Sequence, residues 1–147
     1  MFSFLLRGTL SLKTEYERKY KLCKIITTDK IAKSNGPYSQ GYTHNGFFFT
    51  AGQIGVEPSD GELHVHTIEE QTDRACRNIG IMLEAAGTSF DKVIKANCFI
   101  ADMDDFDAFN QVYARYFTSR PARTCVAVKT LPKHALCEIE VIAALED

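Results

Sequence analysis

The ten residues from Leu136 to Leu145 alternate with a period of two, yet carry apolar side chains on both faces. Cys137, Ile139, Val141 and Ala143 fall on one side, and Leu136, Glu138, Glu140, Ile142 and Ala144 on the other. A strand of this kind belongs in a sheet covered on both faces, because a sheet with one wet face reads as clean apolar and polar alternation. Two carboxylates on one such face are costly unless paired, hydrated or used in chemistry.

The rest of the chain says what could cover one face. Thr67-Ile68-Glu69-Glu70 is a capping box, and Ile68, Ala75, Ile79, Met82, Leu83 and Ala86 follow at helical spacing to a left-handed stop at Gly87. Val93 to Ala101 reads as a strand, with Val93, Lys95, Asn97 and Phe99 against Ile94, Ala96, Cys98 and Ile100. Asp102, Asp104 and Asp105 suit a helix N-terminus, and Phe106, Phe109, Val112, Tyr113, Tyr116 and Phe117 form its buried stripe. Upstream, Asn45-Gly46 joins Gln40–His44 to Phe47–Thr50 as a hairpin, and Glu57–Gly61 is a turn. A further strand spans Arg123 to Lys129. The order β-β-α-β-α-β-β predicts an α+β fold with both helices on one face of a mixed sheet. The other face then needs a partner, so we expect an oligomer with Glu138 and Glu140 in or beside the interface.

Size and charge narrow the function. The 147 residues are 45% hydrophobic and 24% charged, enough for one domain with its own core. Seventeen Lys and Arg against nineteen Asp and Glu argue against a dedicated nucleic-acid binder. No apolar run is long enough to cross a membrane. Five cysteines without a Cys-x-x-Cys pair read as reduced thiols of an intracellular protein. Residues 1–22 differ from the rest: they lack an acid before Glu15, carry Arg7 and Lys13, and mix Ser and Thr with bulky apolar residues. They read either as a transit peptide or as an arm docked on the domain of residues 23–147. The expected location is the cytoplasm, or a mitochondrion or other organelle if the leader is a targeting signal.

Several residues could carry chemistry. Arg123 starts a strand, as an ion-pair partner for the two acids or as a fork for a substrate carboxylate. Cys125 lies near that cation but has no His base placed by the sequence. His64 and His66 lack an identifiable third metal ligand and are expected in a surface loop. His44 and His134 sit beside turns, and the helical spacing of Tyr113 and Tyr116 makes them core.

Gly36-Pro37-Tyr38-Ser39-Gln40, Gly52-Gln53-Ile54, Gln71-Thr72 with Asn78, Glu84-Ala85-Ala86-Gly87, Phe106 with Asn110 and Tyr113, Pro121-Ala122-Arg123, and Leu131-Pro132 with Glu138-Ile139-Glu140 occur in that order. Together, from about Ile25 to the C-terminus, they resemble the reactive-intermediate deaminase family (RidA, YjgF, endoribonuclease L-PSP). The resemblance implies a chorismate-mutase-like fold, a homotrimer with clefts between subunits, and cofactor-free hydrolysis of 2-imino and 2-enamino acids, such as 2-iminobutanoate and 2-iminopropanoate, to 2-keto acids and ammonia. Carried over by residue, Arg123 clamps the substrate carboxylate, the Cys125 backbone contacts the imine end, and Glu138 orients or deprotonates water. Tyr38, Gly52, Phe106 and Asn110 line or support the cleft, no metal takes part, and Glu140 is structural. The implied partners are small 2-imino and 2-keto acids and further copies of the chain. Alternatives are a non-catalytic trimer that binds small 2-keto acids or acts as a chaperone, and an endoribonuclease or translation inhibitor, which the mild acidity disfavours. The chain departs from the family's pattern at Ala51 and Gly55, which bears on cleft contacts, and in the short Thr118-Ser119-Arg120 connection, which bears on the cleft rim and substrate size.

Overall fold

The computed structural model describes residues 23–145, so the predicted leader lies outside the described residues. Seven strands form one mixed sheet: β1 (Lys24–Ile26), β2 (Gly41–His44), β3 (Phe47–Thr50), β4 (Gln53–Ile54), β5 (Val93–Ile100), β6 (Ala122–Ala127) and β7 (Cys137–Ala144). Among the described residues two α-helices accompany them, α1 (Ile68–Ala85) and α2 (Phe106–Tyr116). The sheet order is β1-β2-β3-β7-β5-β6, with β4 also on β7. Among the described strands only β5 and β6 pair in parallel, through the α2 crossover. The architecture is the predicted α+β fold, with two short strands, β1 and β4, added to the predicted order.

Local sequence explains the elements. The Thr67 hydroxyl accepts from the Glu70 amide at 3.2 Å while the Glu70 carboxylate accepts from the Thr67 amide, so α1 starts where the capping box places it. Gly87, at φ +76°, ends it, and the Thr88 amide closes back on the Leu83 carbonyl. Asn45 and Gly46 both have positive φ, as a tight hairpin with right-handed strand twist requires.

One side of the sheet holds the core. Cys137, Ile139, Val141 and Ala143 of β7 and Ala96, Cys98 and Ile100 of β5 pack with Ala75, Cys76, Ile79, Met82 and Leu83 of α1 and with Phe109 and Tyr113 of α2. Each fully buried large side chain there contributes about 1.5–3 kcal/mol of transfer free energy. Strand β5 departs from strict alternation: Val93 pairs with Ala143 and Lys95 with Ile142, so two steps on β5 face one on β7. This bulge turns Val93 into the core and leaves Ile94 47% exposed, which corrects the predicted faces of both residues.

The other side has no covering layer among the described residues. Ile25, Tyr42, Phe49 and Ile142 form one cross-strand row on it, and Phe47, Phe99 and Val126 extend the apolar surface. Strands β3 and β4 lie along the same edge of β7 but break at Thr50–Gly52. The Val141 amide donates instead to the Thr50 hydroxyl at 2.9 Å, so the side chain completes the ladder where the strand leaves it. That break brings Gly52 against Glu138.

Candidate functional site

Arg123 sits on β6, in register with the buried Ala96, and its side chain turns to α2. Its Nη1 donates to Asn110 Oδ1 at 2.8 Å. The guanidinium carbon lies 4.7 Å from the Tyr113 ring centroid, 5.5 Å from that of Phe106 and 6.0 Å from that of Phe109. Asn110 and Tyr113 are three residues apart and Phe106 is four before Asn110, so one face of α2 presents all three to the cation. Among the described residues Arg123 makes no ion pair, which leaves a half-buried positive charge without a counterion. Of its five N–H donors, one is used by Asn110 and the others are open to an anion.

Glu138 occupies the opposite side of the sheet. A Cβ built on Gly52 would lie 2.7 Å from Glu138 Cδ and closer still to Oε1, so the carboxylate rests directly on the Gly52 backbone. Burial pushes the Glu138 carboxyl up from its ordinary value, and the neighbouring Glu140 charge adds to the effect. Glu140 itself accepts from Asn97 Nδ2 at 2.8 Å. Gly52 also lines a cleft of about 580 Å³ with Tyr38, Gln40, Ile54, Asp60 and Lys133. Gln40 shapes one wall: its amide accepts from the Thr28 N–H at 2.8 Å and donates to the Thr28 and Ala32 carbonyls at 3.2 Å. Asn78 of α1 fixes another by donating to the carbonyls of Ile54 and Val56. Tyr38, 59% exposed, stands at the rim.

The sequence candidates therefore fall into two groups. Arg123, Cys125, Phe106 and Asn110 gather beside α2, whereas Glu138, Gly52 and Tyr38 gather at the open sheet face and the cleft. Within one protomer β7 separates its own face-paired acids from the guanidinium, because odd-numbered residues of β7 enter the core and even-numbered ones point away from it. Arg123 is thus not the ion-pair partner of Glu138 or Glu140. Arg123 and Cys125 sit on the helix side of β6, away from the face that carries the two acids.

The remaining candidates have ordinary partners. Burial pushes the Cys125 thiol up, against a smaller opposing pull from Arg123, so it stays protonated and unsuited to nucleophilic attack. His64 pairs with Asp60 at 2.7 Å on an exposed loop, and the His66 amide donates to Glu70. Gly55 packs on the Gln71 backbone of α1, where a Cβ would come within 2.9 Å of it, so this departure from the family pattern serves helix packing. Arg120, in the short connection, is exposed with φ +54°. Tyr113 reads from the sequence as core only; its Asn110 spacing is the signal that it also faces Arg123. Among the described residues no helix is long and apolar enough to cross a membrane.

Comparison with known proteins identifies the family. The model of the family described as Endoribonuclease L-PSP matches residues 28–145. A RutC family protein of Pyrococcus horikoshii is 46% identical over 124 residues, covering 84% of this chain and 98% of that protein. A mouse protein named 2-iminobutanoate/2-iminopropanoate deaminase is 40% identical over 121 residues, 82% of this chain and 90% of its own. The crystal structure of Escherichia coli TdcF with bound serine superposes with a TM-score of 0.79 at 38% identity, covering 84% of this chain and 99% of that one. With a family model spanning nearly the whole described chain and relatives matched over nearly their full length, the chain belongs to the endoribonuclease L-PSP (RidA, YjgF) family.

Proposed function

We propose that the protein hydrolyses small reactive 2-imino acids to 2-keto acids and ammonia, in clefts assembled between copies of the chain. The observation that carries this reading is a pair of charges that find no ion-pair partner among the described residues, a half-buried Arg123 without an acid and a half-buried Glu138 without a cation, on different sides of one sheet. A site that needs both draws Arg123 from one copy and Glu138 from another, and the apolar outer row of Tyr42, Phe49 and Ile142 supplies the surface for contact. A closed trimer repeats that contact three times.

The chemistry follows from the groups. The Arg123 fork binds the substrate carboxylate through two parallel hydrogen bonds and so fixes the plane of the adjacent C=N. A protonated imine is already electrophilic at C2. Glu138 accepts a proton from water as the oxygen bonds to C2, giving a carbinolamine, and returns that proton to nitrogen; as the C–N bond breaks and ammonia leaves, the carbinolamine hydroxyl gives its proton to the Glu138 carboxylate and the C=O forms, Glu138 then releasing the proton to solvent. The raised carboxyl of Glu138 suits both transfers better than a fully solvated acid would. Orientation of water and imine contributes several kcal/mol to lowering the barrier.

The test generates 2-iminobutanoate from threonine with a dehydratase and measures 2-oxobutanoate release with and without the protein. Wild type accelerates release and Arg123→Ala does not. Equal rates with and without wild type would refute the reading.

A further inference from the structure

We propose that Tyr113 is a positioning residue, which holds the Arg123 guanidinium in one plane through its ring face so that the free N–H edge is ready for a carboxylate. The inference rests on the reading of Arg123 as the anion clamp, but its geometry stands by itself. Tyr113 is the ring nearest to the cation, at 4.7 Å, and its own place is fixed by stacking on Phe117 at 4.1 Å with 11° between the planes. Phe109 stacks from the other turn of α2 at 5.7 Å. The cation therefore sits against the Tyr113, Phe106 and Phe109 rings, Tyr113 being the middle member of a stack with Phe109 and Phe117 at i, i+4 spacing, with Asn110 gripping one Nη edge.

The ring of Tyr113, rather than its hydroxyl, carries the positioning role. Tyr113 is 7% exposed and its hydroxyl has no hydrogen-bond partner among the described residues, so the polar atom is a cost that a Phe would avoid. Burial pushes the phenol well up, which keeps it neutral, so attraction to Arg123 comes from the ring face and not from a phenolate. A single hydrogen bond to Asn110 leaves the guanidinium free to swing about that contact. The ring face removes this freedom before the ligand arrives, and affinity is gained by not having to order the side chain on binding.

The experiment separates ring electrostatics from ring shape. Three forms are compared with wild type: Tyr113→Phe, Tyr113→Met, and the protein with 3,4,5-trifluorophenylalanine at position 113, which keeps the shape while weakening the negative ring face. Two readouts are taken on each: rotation of the Arg123 guanidinium about Nε–Cζ by side-chain ¹⁵N exchange spectroscopy, and KM against kcat for 2-iminobutanoate hydrolysis. Tyr113→Phe is expected to keep slow rotation and wild-type KM. The fluorinated form and Tyr113→Met are expected to rotate faster, with KM raised about three- to tenfold and kcat little changed. If Tyr113→Met does not fold, the fluorinated form alone decides. If wild type shows no hydrolysis, the functional reading fails while the rotation measurement still tests Tyr113. Rotation in the fluorinated form equal to that in Tyr113→Phe overturns the proposal.

Discussion

Gly52→Ala isolates the position of the Glu138 carboxylate. The new Cβ would stand 2.7 Å from Glu138 Cδ and 3.0 Å from Cγ, and closer still to Oε1. Ordinary contact between carbon atoms begins near 3.5 Å, so the carboxylate must withdraw by roughly 1 Å or more. Glu138 ends in a flexible, half-buried group that can yield, so we expect the fold to survive with a stability change within about 1 kcal/mol. Catalysis is less forgiving: a misplacement of about 1 Å at a reacting group costs on the order of 100-fold, or about 2.7 kcal/mol in the barrier. The assay is steady-state hydrolysis of dehydratase-generated 2-iminobutanoate, with thermal unfolding on the same samples. kcat should fall by about two orders of magnitude while KM, set by Arg123, stays near wild type. A folded Gly52→Ala protein with kcat within twofold of wild type would refute the claim that the carboxylate seated on Gly52 activates the water.

Other outcomes follow from the same structure. Arg123→Lys keeps the charge but loses the fork, and kcat/KM should drop about 10- to 100-fold, as expected for losing a charge-assisted bidentate contact. As the proposed base Glu138 must be deprotonated, so activity should be present above its raised pKa and lost as pH falls through it. Glu140→Gln keeps the acceptor for Asn97 while removing the like charge, so the acid limb of the kcat/KM profile should move to lower pH; an unmoved limb contradicts the coupling. Tyr113→Phe deletes a buried hydroxyl that has no partner among the described residues and should raise stability by about 1 kcal/mol, read by denaturant unfolding. Phe49→Lys places a charge in the outer apolar row and should give monomers by light scattering together with loss of activity; an active monomer contradicts a site shared between copies.

The elements were legible because their signals are local. The Thr67–Glu70 capping box, Gly87 and the Asn45-Gly46 turn specify backbone conformation by themselves, and the alternation of β7 places Cys137 and Ile139 inward as read. Ile94 was misplaced because a bulge depends on pairing with β7, and that pairing has no mark in the β5 residues alone. Strand β4 was missed for a related reason: two residues have no period, and Gln53–Ile54 is a strand only because β7 lies beside it. The candidate residues came from motif resemblance, but their division into two groups did not. It depends on which face of β6 and β7 meets the helices, and the Tyr113 contact to Arg123 depends in turn on where α2 crosses β6.

Subunit mixing tests most directly whether one cleft takes Arg123 and Glu138 from different copies. Arg123→Ala and Glu138→Ala proteins, each inactive alone, are combined one to one under conditions that allow exchange, and imine hydrolysis is measured on the reassembled sample. Random association gives about one cleft in four with both native side chains, so about a quarter of wild-type activity should return. No recovery, with exchange verified by mass spectrometry of the intact assembly, would contradict the shared site.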